Sequence, residues 1–88
     1  MKITKKHASD VLKSIAEELK PGVIMEIEIP DVVNFSTGEP TGFAVIVRLS
    51  TRYHYPLSIL EDWKKRLQAD ACTIKVVRNQ LRLTFSIH

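Results

Sequence analysis

The 88-residue chain predicts an α+β fold of order helix-hairpin-helix-hairpin (αββαββ), a four-stranded mostly antiparallel sheet with two helices on one face. Three observations carry that prediction. Apolar residues recur at helical spacing in two separate segments, each segment is followed by residues alternating with period two, and turn-forming residues lie between the strands of each half as in hairpins. The composition agrees, with 44% hydrophobic and 26% charged residues and a mean hydropathy of -0.05. These values exclude a disordered segment, a collagen-like repeat and a membrane span. At 10.0 kDa, residues 1–88 are expected to form one domain, too small for the deep interdomain cleft of a large enzyme.

The first helix is read over about residues 5 to 19, where Ala8, Val11, Leu12, Ile15, Ala16 and Leu19 share one face. Thr4 is placed to cap its amino end, Ile3 to pack back on Ala8, and Pro21-Gly22 to stop it. The period then changes to two. Val23, Met25, Ile27 and Ile29 are expected inward and Ile24, Glu26 and Glu28 outward, up to Pro30. A second strand runs through Phe43, Val45, Val47 and Leu49, with Ala44, Ile46 and Arg48 on its other face. Between them, residues 31 to 42 exceed a tight turn and include Val32, Val33 and Phe35. They are either a strand extended past a bulge at Pro30 or a loop tucked on the core.

Ser50 to Pro56 reads as a loop, and Ser58 with Glu61 as a capping box for a second helix from near Ile59 to about Ala69. Its apolar face is Ile59, Leu60, Trp63 and Leu67. Cys72, Ile74 and Val76 restore the strand period. After a short turn at Arg78-Asn79-Gln80, with Asn79 suited to a positive φ, the last strand turns Leu81, Leu83, Phe85 and Ile87 inward and Arg82, Thr84, Ser86 and His88 outward. The two halves, about residues 4-50 and 56-88, are a possible αββ pseudo-repeat.

No catalytic constellation emerges, and none of these residues is assigned a catalytic role. The chain has three histidines and one cysteine, with no pair at metal-ligand spacing and no glycine-rich phosphate loop. No cofactor and no metal is expected. Cys72, in step with Ile74 and Val76, reads as a small core residue, and a lone cysteine without a signal-peptide stretch suggests a cytoplasmic protein. Lys64, Lys65 and Arg66 fan around their helix, with Glu61 and Asp62 four residues before Lys65 and Arg66 to answer their charge.

The distribution of charge says more than its sum of +3. Residues 1–44 hold five lysines against seven acids, whereas residues 45–88 hold eight basic residues against three acids. The outward sheet residues then suggest two functions. The first is a non-catalytic binding or regulatory module, meeting a protein partner or a second copy through an apolar patch of Ile24, Ala44, Ile46 and Val77 rimmed by Arg48. The alternative is a single-stranded nucleic-acid-binding domain. In it Arg48, Arg52, Lys75, Arg78 and Arg82 meet phosphates, while Tyr53, His54 and Tyr55 stack on bases. A membrane partner is not expected.

Overall fold

The first helix, α1 (Lys5–Glu18), begins where Thr4 Oγ1 accepts the His7 N–H at 3.2 Å, and it buries Ala8, Leu12 and Ile15. The structure, a computed structural model, describes residues 3–87, with Leu57 described by its backbone alone. His88, expected on the outward face of the last strand, lies outside the described residues. Beyond α1 the chain reverses through a turn in which the Val23 N–H bonds the Lys20 carbonyl at 3.2 Å. Pro21 and Gly22 fill its centre, and Gly22 has a φ of 87°, the positive value that a type II turn needs at that position.

The chain continues as β1 (Ile24–Glu28), β2 (Asp31–Val33), β3 (Pro40–Ser50), α2 (Leu57–Arg66), β4 (Ala71–Val77) and β5 (Gln80–Ile87). The sheet is antiparallel throughout its order β1-β3-β5-β4, and β2 also pairs with β3. It therefore has five strands, not the four expected. Proline accounts for the difference. Pairing runs to Glu28↔Ile46 and resumes at Asp31↔Phe43, three residues on along both strands, so β1 and β2 follow one register along β3. At the gap the Ala44 N–H donates to the Pro30 carbonyl at 2.9 Å, and proline has no N–H to return the bond. The strand thus extends past Pro30 without a bulge there.

The register shifts on either side, between Val32 and Val33 in the arm and earlier in β1. Met25 is the extra residue between the pairs Ile24↔Leu49 and Glu26↔Arg48. It inverts the expected phase at the start of β1: Ile24 stands opposite buried Leu49 and packs against the core, while Met25 is 54% exposed. Past Phe43↔Ile87, the last described pair of β3 with β5, β2 and β3 pair only with each other and form a short arm. Its tip closes through Asn34, whose N–H bonds the Glu39 carbonyl and whose side chain accepts the Ser36 N–H at 2.8 Å.

Helix α2 starts earlier than expected. Pro56 occupies its N-cap position without a side-chain cap, the Ile59 N–H closes the first turn on the Pro56 carbonyl at 3.1 Å, and the anticipated box of Ser58 and Glu61 does not form. Its carboxyl end is three residues short of the expected Ala69. Gln68 enters the left-handed region with φ 52°, its N–H bonds the Lys65 carbonyl, and the Ala69 N–H bonds the Lys64 carbonyl at 3.0 Å. This is a Schellman motif with glutamine in the position usually taken by glycine. In the β4–β5 turn the positive φ, 55°, falls on Arg78 and not on Asn79.

One continuous core joins Leu12 and Ile15 of α1 and Trp63 and Leu67 near the end of α2 to the odd-numbered residues Val45, Val47, Leu49, Leu83, Phe85 and Ile87 of the two central strands. Both helices therefore cover the same face. Arg66 ties them together, donating through both terminal nitrogens to the Glu18 carboxylate, while its Nε forms an ion pair with Asp62 at 3.3 Å. No described helix is long and apolar enough to cross a membrane.

Candidate functional site: the open sheet face

The even-numbered residues of β3 and β5 point away from the helices, and the register decides what they present. Glu26 pairs with Arg48, Arg48 with Arg82, and Arg82 with Lys75, so four charged residues form one row across the sheet. Residues directly opposite each other have Cβ atoms about 4.5–5.5 Å apart, close enough for their charges to act on one another. Arg48 Nη1 donates to Glu26 Oε2 at 3.0 Å, which satisfies one cation of the row. Arg82 stands between two other cations, and its Nε is shielded from solvent with no hydrogen-bond partner among the described residues.

The adjoining rows are low. Glu28, Ile46, Thr84 and Thr73 form the next one, so an acid stands at its β1 end, and Pro30, Ala44, Ser86 and Ala71 form the one after. Two further cations lie at the same end of the sheet as the charged row. Arg78 sits in the turn just beyond Val77↔Gln80, and Arg52 sits in the loop after Ser50, which is held to that turn by Thr51 Oγ1 donating to the Asn79 carbonyl at 3.0 Å. Arg48, Arg52, Lys75, Arg78 and Arg82, dispersed along the sequence, are thereby gathered.

Tyr53 and Tyr55 pack against the core, and the Tyr55 hydroxyl donates to the Ser50 carbonyl at 2.6 Å. Desolvation pushes its pKa above the ordinary tyrosine value. Both tyrosines are half-buried, Tyr53 lining an open groove with Arg52, and His54 is exposed. The expected apolar patch is divided. Ile24 lies on the core side, and the row Arg48–Arg82–Lys75 separates Val77 from Ile46, so that Ala44 and Ile46 are the contiguous remainder.

Cys72 lies on the helix side of β4, opposite Phe85, and is half-buried. Burial pushes its thiol pKa up, outweighing the nearby Lys64, and this leaves it a poor nucleophile at neutral pH. Two features escaped the sequence reading. Ile74 and Val76 face the helix side yet remain 47% and 66% exposed, because β4 is the outer strand. Phe35, at the tip of the arm, is fully exposed. Alternation predicted the facing of Ile74 and Val76, but their exposure follows from strand order, which no local pattern encodes.

No protein-family model, curated protein or solved structure matches the chain.

Proposed function

We propose that the chain is a small non-catalytic binding module whose open sheet face holds the phosphate backbone of a single-stranded nucleic acid. The observation that carries this reading is the row Arg48–Arg82–Lys75, in which Arg82 has a cation directly opposite it on each side. Like charges set directly opposite one another destabilise a sheet, so the arrangement has its natural complement in an anion placed between them. Guanidinium groups take phosphate oxygens in a fixed fork, and the threonine, serine and alanine floor beside the row lets a backbone approach closely. Arg52 and Arg78 extend the positive surface. With Tyr53 and Tyr55 half-buried against the core, the face reads backbone charge and little of the bases.

Fluorescence anisotropy with a short single-stranded oligonucleotide over a salt series tests the reading. Three to five phosphate contacts predict a slope of log K against log salt of about -2 to -3.5, since each contact contributes roughly -0.7 on a single strand. Arg82→Met combined with Lys75→Met should make the slope shallower by about 1.4 and weaken binding to every sequence alike. Absence of binding at low salt, or binding indifferent to both substitutions, overturns it.

A second reading, contact of the same face with a protein, is supported by the half-exposed Ile46 on an otherwise short-chained floor, its neighbour Ala44 being only 8% exposed. Its signature is association abolished by Ile46→Glu and insensitive to salt. Both readings accord with a cytoplasmic protein.

A further inference from the structure

The two outer strands of the sheet are built differently. Along the β1–β2 edge stand the Met25 bulge, Glu26, Glu28, Pro30 and Asp31, which are the devices that keep an edge from pairing with another chain. The β4 edge has no bulge, proline or acid, and Lys75 is its one protective charge. β4 keeps one unbroken register with β5 from Ala71↔Ser86 to Val77↔Gln80. A strand paired on one side only turns a row of N–H and C=O groups to solvent. Here Ile74 and Val76 stand uncovered beside that row, next to a shallow groove lined by Leu60, Glu61, Lys64, Cys72 and Ile74.

We infer that the β4 edge is a docking site for a second copy of this chain, the two β4 strands pairing antiparallel about a two-fold axis at Ile74. The strand is self-complementary in that register. Ile74 meets Ile74 of the second copy, Cys72 meets Val76, and Lys75 meets Thr73, so that apolar residues fall together on the helix side and no two lysines oppose each other. The groove beside the edge supports the same occupant. It carries one acid, Glu61, and one base, Lys64, three residues apart on α2, and a two-fold axis sets the acid of each copy toward the base of the other. The pairing uses the backbone edge and leaves the open face uncovered, with Lys75 belonging to both sites.

Sedimentation of the full chain over a concentration series, without oligonucleotide, provides the test. The expected result is a dimer of wild-type chain. Ile74→Lys sets two lysines opposite each other at the axis and should weaken the dimer roughly 100-fold, whereas Ile46→Glu on the open face should leave it intact. Ile74 is exposed, so its variant should fold, and circular dichroism verifies this. A Cys72→Ala, Ile74→Cys variant should form a covalent dimer on mild oxidation through the two residues at the axis. A chain that stays monomeric up to millimolar concentration overturns the inference. So does a dimer that survives Ile74→Lys, or one that Ile46→Glu dissolves.

Discussion

Arg82→Met is expected to stabilise the fold even though it deletes a charged side chain at the centre of the proposed site. Arg82 has a cation directly opposite it on each neighbouring strand, and such pairs cost about 0.2–1 kcal/mol each. Arg48 is partly neutralised by Glu26, so the Lys75 pairing is the larger penalty. The shielded, unpartnered Nε adds to it, since an unsatisfied buried polar group costs about 1–3 kcal/mol. Methionine keeps an unbranched stem on the sheet and removes both penalties. Taking the lower end of each, because the guanidinium tip reaches solvent, gives a gain of about 1 kcal/mol, or roughly 4–8 °C in Tm for a domain of this size. Salt separates the two contributions. The Debye length falls from about 10 Å at 0.1 M to about 3 Å at 1 M, so the charge-repulsion share of the gain should vanish in high salt while the desolvation share stays. Urea unfolding at both salt concentrations measures each share. A variant less stable than wild type at low salt, or a gap that salt does not narrow, would refute the reasoning.

Gln68→Gly should raise stability by about 0.5–1 kcal/mol, because it relieves the left-handed strain at the end of α2 and Gln68 is exposed; thermal unfolding measures it, with Gln68→Ala giving no gain. Hydrogen bonding to Arg66, reinforced by its charge, holds the Glu18 carboxyl below its ordinary pKa in the folded state. The interhelical pair therefore contributes its full stability above the ordinary glutamate pKa and loses it as pH falls through the lowered value. A carbon-detected NMR titration should find Glu18 depressed, and Glu18→Gln should remove that part of the acid dependence. Trp63→Ala should cost about 3–5 kcal/mol in chemical denaturation, whereas Phe35→Ser at the tip of the arm should change stability by less than about 0.5 kcal/mol.

Features set by nearby residues were legible in the sequence. Thr4 and Pro21-Gly22 bracket α1, and alternation assigns both faces of β3 and β5, the central strands whose register is unbroken with each other. Legibility failed wherever a distant strand or a backbone bond decided the outcome. Alternation assumes a constant phase, and the Met25 bulge, defined by how β1 meets β3, shifts it. Pro30 looked like an end or a bend because proline lacks a donor, yet it removes only its own rung from the ladder and β2 continues beyond it. The capping-box spacing of Ser58 and Glu61 was real but lost to Pro56, whose carbonyl closes the first turn two residues earlier. At the site, the five cations could be named from the sequence. Their gathering depends on the β3–β5 and β4–β5 registers, and the inward packing of Tyr53 and Tyr55 depends on the core left open beneath the loop.

The bulge and the carboxylates of the β1–β2 edge have a consequence for aggregation. A sheet with two bare edges is a template that recruits chain after chain, and its end product is a fibre. In this protein the strand that bears Pro30, the Met25 bulge and three carboxylates occupies one flank. Once two copies have joined at β4, that same strand forms both outer flanks of the joined sheet. Further growth would then meet only bulged, acidic edges, and strand addition would stop at two copies.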